Sequence, residues 1–198
     1  MNSETEIRQA IEDFNSGIPG AWQVVDNAGT CAWLSSDDTP RENLTGGSGA
    51  AASADSDVCF APMDTDLISP PIDLTGESEA WLAFRNFFVG IIDLGHVDIS
   101  TNEGQTWKNL LELSELTADP QIIDLSTYAG KTVILRFHYE TPDWGYVWMI
   151  DDVGVFATDP GESYVRIEPD YTDVDTAVFG AFADDEFAVG DPAFFGPT

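Results

Sequence analysis

The sequence predicts an all-β chain folded as a β-sandwich or jelly roll, with an irregular C-terminal extension. Three observations predict it. Short segments with strand-like alternation follow one another from Gly17 to Phe156, turn residues separate them, and no long helical pattern interrupts them. A content of 43% hydrophobic and 12% aromatic residues is enough for a packed core in a 198-residue chain.

The elements read as follows. Ser3 to Phe14 fits a short helix or an ordered tail: Ser3 and Glu6 have capping-box spacing, and Ile7, Ala10, Ile11 and Phe14 recur at helical intervals. SGIPGAWQVVDNAG reads as turn, strand, turn. Residues 35–57 are polar and rich in Gly, Ser and Ala, which reads as a long loop. LISPPIDLTG is extended but broken by prolines, suited to an edge or a crossover. Trp81 to Val89 is the strongest core strand. HVDISTNEGQTWKNLLEL reads as a hairpin turning at Asn102-Glu103-Gly104-Gln105. Within it, Ser100 to Trp107 approaches the S-x-D-x-G-x-T-W turn with Asn102 at the Asp position, a folding element in which a side chain bonds local backbone. IIDLSTYAGKTVILRFHYE gives a short strand, a loop at Tyr128-Ala129-Gly130 and a long strand.

The last strand, WMIDDVGVF, poses the main question. Strict alternation puts Trp148, Ile150, Asp152, Gly154 and Phe156 on one face and Met149, Asp151, Val153 and Val155 on the other. Both faces are mostly apolar, so at least one carboxylate falls where a hydrophobic side chain is expected. A buried carboxylate needs donors or a cation. The chain has 36 acidic and 7 basic residues, a net charge of −29, so most carboxylates have no basic partner to find. A hard cation such as Ca2+, which takes oxygen ligands, is the expected solution. Backbone donors are the alternative.

The charge disfavours nucleic acid and anionic membrane surfaces as partners, and no run is long and apolar enough for a membrane span. MNSETEIRQ is not a signal peptide, so export implies a leader already removed. Cys31 and Cys59 pair if the chain is exported, contributing roughly 3–4 kcal/mol in the chain-entropy picture; in a reducing compartment they are two free thiols.

FNSGIPGAWQVVDNAG, DTDLISPPIDLTG, VDISTNEGQTW, IDLSTYAGKTVILRFHYE and WMIDDVGVF, in that order, resemble the cleaved-adhesin and choice-of-anchor J domains, relatives of MAM domains found in secreted bacterial proteases, haemagglutinin-type adhesins and other surface proteins. The resemblance spans about residues 11–157. It implies a galactose-binding-domain-like jelly roll without catalytic machinery, and a structural calcium site joining the N-terminal segment to the last strand. On matching positions it implies Asp151, Asp152 and Asp26 as ligands, with Asn15 where the family often has Glu.

Other residues complete the reading. Trp144, in TPDWGYVW, is a candidate sugar platform with Asp143 and Tyr146 as companions. His96 and His138 read as structural or surface residues, and no GxSxG or HExxH motif is present. Asn43-Leu44-Thr45 is a glycosylation sequon. The expected organisation is a binding module over 1–158 and an acidic extension over 159–198, whose Phe179, Phe182, Phe187, Phe194 and Phe195 make it a linker, a docked tail or a strand for a neighbour. The expected function is a secreted or cell-surface, calcium-stabilised, non-catalytic adhesion module for a glycan or surface protein. The rival reading is a structural subunit or spacer of a surface assembly that self-associates through 159–198.

Overall fold

In the computed structural model, residues 8–161 are described. The chain runs β1 (Arg8–Glu12), β2 (Gln23–Asp26), β3 (Leu34–Ser35), β4 (Ala52–Asp55), β5 (Met63–Ile68), β6 (Ile72–Asp73), β7 (Trp81–Val89), β8 (Leu94–Ser100), β9 (Lys108–Leu113), β10 (Gln121–Asp124), β11 (Thr132–Thr141) and β12 (Val147–Phe156). A one-turn helix, Ser56–Cys59, follows β4 and is capped by Asp55, which accepts from Val58 N.

The strands form two sheets. One has the order β10-β7-β12-β4-β3, with β1 also on β12; the other has the order β2-β5-β11-β8-β9, with β6 also on β11. All pairings within them are antiparallel. The core lies between the inner faces: Leu82, Phe84, Phe88, Trp148 and Ile150 from the first sheet, and Leu67, Val97, Ile99, Leu135 and Phe137 from the second. Phe137 meets Phe84 and Trp148 edge-on, with ring centroids 5.2 and 5.9 Å apart. The two-sheet sandwich is the architecture that the strand pattern predicts.

Three local expectations are corrected. Residues 8–12 form a strand on β12 rather than a helix; Ser3, Glu6 and Ile7 lie outside the described residues, as do 162–198 and the tail phenylalanines. The polar segment 35–57 is not all loop, because Ala52–Asp55 pairs with β12 and is buried throughout. Alanine and serine carry little strand propensity, but their small side chains fit beside Trp148, the register partner of Ala54. Finally, β12 does not alternate strictly. Asp152 takes a left-handed conformation (φ 49°), and the register against β7 slips between Asp151 and Gly154. This bulge switches the parity of the strand. Trp148 and Ile150 before it, and Val153 and Val155 after it, all join the core, so neither aspartate belongs to that cluster.

Other expectations hold. The 94–113 segment is a hairpin: Asn102 Oδ1 accepts from Thr106 N, and Ser100 Oγ accepts from Gly104 N, while Trp107 packs beneath Gly104. The Pro70-Pro71 break separates β5 from β6 along one edge of β11. Cys31 and Cys59 form a disulfide with Cα atoms 6.4 Å apart, tying the turn after β2 to the helix after β4.

Candidate functional site

The bulge lies where β12 changes neighbours. Residues 147–150 pair with β4, and residues 153–156 pair with β1 on the same edge. Asp151 and Asp152 stand at the seam between them.

The bulge gives the two aspartates different surroundings. Asp152 turns to Arg85, whose Nε donates to its Oδ2 at 2.6 Å. Asp151 has 0% exposure, beneath the loop from Asn43 to Gly49. Its Oδ2 accepts from Asn43 Nδ2 at 2.8 Å and lies 3.5 Å from Thr45 Oγ1; its Oδ1 accepts from Asp152 N at 2.7 Å. Burial pushes the Asp151 carboxyl up to about 7, opposed by the Asn43 hydrogen bond and reinforced by the charge of Asp152. The expectation of few basic partners therefore describes Asp151 and is corrected for Asp152.

The same loop receives Asn15. A Cβ on Gly49 (φ 76°) would stand 1.7 Å from Asn15 Oδ1, and a Cβ on Gly47 would stand 2.1 Å from Asp151 Oδ2. Only glycine lets the backbone approach both side chains. Asn43 Nδ2 also donates to the Gly49 carbonyl at 3.2 Å, so the sequon amide is engaged in the fold. The structure thus brings Asn15 and Asp151 to one loop. Asp26 accepts from Gly29 N and Thr30 N through Oδ1, closing the turn at the end of β2.

Asp151, the Asn15 amide oxygen and the Gly49 carbonyl are oxygen ligands of the kind a hard cation takes, whereas Asn43 presents Nδ2 to Asp151 and Gly49 and keeps its Oδ1 on Thr45 N and Oγ1. Among the described residues, no three His, Cys, Asp or Glu side chains cluster, as they stand, to hold a metal. A calcium site here depends on amide and carbonyl oxygens, with Asp151 supplying the charge.

A second candidate lies at one end of the sandwich. Trp144 is 45% exposed, and its ring stacks on that of Phe60, itself 78% exposed, with centroids 6.4 Å apart and planes 26° apart. Trp144 Nε1 donates to Asp57 Oδ1 at 3.2 Å, and Asp143 accepts from Trp144 N. Arg41 bonds Asp55 and Asp57 at 2.7 and 2.6 Å and lies 5.0 Å over the Tyr146 ring. Tyr146 is buried and supports Arg41 from beneath. Phe60, Asp57 and Arg41 escaped the sequence reading. Their nearest signal is Cys59, because the disulfide anchors the helix after which left-handed Phe60 (φ 52°) projects.

Neither a known family nor a curated protein matches the chain by sequence. Solved structures do match. The K3 cleaved adhesin domain of Lys-gingipain from Porphyromonas gingivalis W83 is 21% identical over 76% of this chain and 98% of its own, with a TM-score of 0.57. The K1 cleaved adhesin domain of the same protein is 20% identical over 74% and 96%, also at 0.57. TmCBM61, solved in complex with β-1,4-galactotriose, is 12% identical over 73% and 93%, at 0.53. The shared feature is the β-sandwich fold, the one that the ordered motifs predict.

Proposed function

We propose that this chain is a non-catalytic, extracellular binding module for a glycan, stiffened by a calcium ion at the β12 seam. The stacked, water-exposed Trp144–Phe60 pair carries the glycan reading. Stacked rings offer an apolar face to the C–H face of a sugar, while Asp57 and Asp143 at the edge offer acceptors for its hydroxyls. The likeness to a carbohydrate-binding module solved with a galacto-oligosaccharide supports this class of ligand. The disulfide supports an oxidising compartment. No helix of the described residues is long and apolar enough to cross a membrane.

At the seam, Asp151, Asn15 and the Gly49 carbonyl would hold the calcium, displacing the Asn43 Nδ2 that donates to Asp151 and Gly49. The ion would neutralise a buried carboxylate and fasten the segment after β1 to β12.

The test of the glycan reading is titration of the protein with β-1,4-galacto-oligosaccharides and a panel of other glycans, followed by Trp144→Ala and Phe60→Ala. Each truncation is expected to weaken binding by about 10-fold or more, in line with the ~1–3 kcal/mol that a buried aromatic contact carries. Unchanged affinity in both variants would place the ligand elsewhere, and ligands found only among surface proteins would replace the glycan.

A further inference from the structure

Three loops meet at the end of the sandwich that carries the Trp144–Phe60 pair. Register places them there. Val147 pairs with both Val89 and Asp55, and Leu94 pairs with Glu140, so the loops before β12, after β7 and after β4 leave the sheets at one end. Two buried side chains fasten them. Asp93 accepts from Ile91 N and from Tyr146 N, each at 2.9 Å. Ser56 Oγ accepts from Gly145 N at 2.9 Å, while Ser56 N donates to the Tyr146 carbonyl at 2.8 Å. A Cβ on Gly145 would stand 1.7 Å from Asp93 Oδ1, so this close approach requires glycine. Among the described residues, seven large apolar side chains are exposed, and four of them, Phe60, Ile91, Ile92 and Trp144, stand on these loops. Apolar groups gathered at one end, on loops held from beneath, mark a binding surface rather than scatter.

The platform leads to an open cleft of about 410 Å³, a size within the ordinary range of small-ligand sites. Met63, Ile92, Leu94 and Pro142 give it apolar walls, and Asp64 and Glu140 place carboxylates among them. It is built on the last rungs of the β5–β11 ladder, Met63 with Thr141 and Asp64 with Glu140. The same two segments run on from there to Phe60 and Trp144. Glu140 and Trp144 are four positions apart, at most about 14 Å of chain, so one short oligosaccharide can touch both. The free charge at this end has one sign. Asp57 and Asp143 flank the rings, and the side chains of Asp64 and Glu140 are 46% and 44% exposed. Arg41 is committed to Asp55 and Asp57. His96 and His138, brought together as register partners and stacked on each other, lie 3.6 and 3.8 Å from Glu140 and counter its charge only when protonated.

We infer that the glycan site runs from the Trp144–Phe60 platform into the Met63–Pro142 cleft and takes a neutral oligosaccharide longer than a disaccharide, rejecting sugars that carry a carboxylate. The inference rests on the glycan reading above and extends it. Apolar walls suit the C–H faces of a sugar chain, and the carboxylates accept from its hydroxyls. A sugar carboxylate would instead be desolvated between like charges, which penalises the acidic ligand without any new contact to the neutral one.

The experiment is calorimetric titration of the calcium-saturated full chain at pH 8 and low salt. The probes are β-1,4-linked galactose, glucose and N-acetylglucosamine oligosaccharides of two to four units, each also in its C6-oxidised, uronic-acid form. In the neutral series that binds, affinity should rise about 10-fold or more from two units to four, and the acidic form should bind about 10-fold or more weakly, a deficit that salt reduces. Ile92→Ser should remove most of the gain with length, and Asp64→Asn with Glu140→Gln should narrow the gap between neutral and acidic forms; melting curves check that both fold. Binding that Trp144→Ala abolishes, but that gains nothing with length and does not respond to Ile92→Ser, overturns this inference and leaves the platform standing. Acidic forms bound as tightly as neutral ones overturn it too. A protein that binds none of these sugars loses the glycan reading and this inference together.

Discussion

The outer faces of the two sheets meet the same problem, carboxylates in mid-strand, and solve it differently. On the second sheet the carboxylates are also buried, but partners are at hand: Arg136 bonds Asp98 and stacks over Trp107 at 4.7 Å, while Asp66 holds His138 and Asn27. On the first sheet, at the seam, Asp151 is sealed beneath the 43–49 loop and the nearby guanidinium of Arg85 is taken by Asp152. In a chain with 7 basic residues against 36 acidic ones, a buried carboxylate passed over by arginine is the place where an external cation has most to contribute.

That contrast can be broken at several points. The largest effect is expected from calcium itself. At calcium a hundredfold above its dissociation constant, the seam should gain about 2.7 kcal/mol, a rise in melting temperature of roughly 5–10 °C over the chelated protein. Magnesium should not reproduce it, and Asp151→Asn should abolish it. A flat response in the native protein would assign Asp151 to its amide and backbone donors alone.

Next come the glycines. Gly47→Ala and Gly49→Ala drive a methyl into Asp151 and Asn15 respectively, and each should cost about 1–3 kcal/mol in denaturant unfolding and remove the calcium response. If either variant keeps both its stability and the calcium shift, the loop is not the cradle described.

The Asp151 carboxyl also fixes a pH dependence. Its folded pKa, about 7, lies above the usual carboxylate value. The calcium-free native state therefore binds more protons than the unfolded chain, and this group's contribution falls as pH rises from about 4 through 7. Melting curves across that window should show a declining contribution without calcium, reduced by saturating calcium and absent in Asp151→Asn.

The smallest effect belongs to the second sheet. Arg136→Lys loses the paired contacts to Asp98 and the stacking on Trp107, yet lysine keeps the positive charge beside Asp98, and Asn109 Nδ2 still donates to it. A loss of about 1 kcal/mol or less is expected, weakened further by salt. A loss matching that of the seam variants would erase the distinction between the faces.

What the residues revealed in advance follows the range of the forces involved. The Asn102 turn was legible because its bonds close within four residues. The Trp81–Val89 strand was legible because burial on both sides leaves a mostly apolar run, broken only at Arg85-Asn86. The Asp151-Asp152 pair stood out because charge is conspicuous in apolar text. By contrast, β4 was hidden because alanine and serine signal nothing until Trp148 lies beside them. The 8–12 strand was misread because its apolar spacing also suits a helix, and only pairing with β12 decides between the two. The Phe60 partner of Trp144, and the meeting of His96 with His138, depend on contacts between distant segments that no local pattern encodes.

By itself, the sequence determined a two-sheet sandwich, a shortage of basic partners and an aspartate pair in the last strand, because composition and alternation act locally and additively. Only the tertiary structure decided which aspartate is which. Where β4 ends and β1 begins along β12, the strand bulges, its inward face changes parity, Arg85 reaches Asp152, and Asp151 is left beneath the glycine loop beside Asn15. That outcome rests on cross-strand register, which is set by the whole sheet and not by the residues on either side.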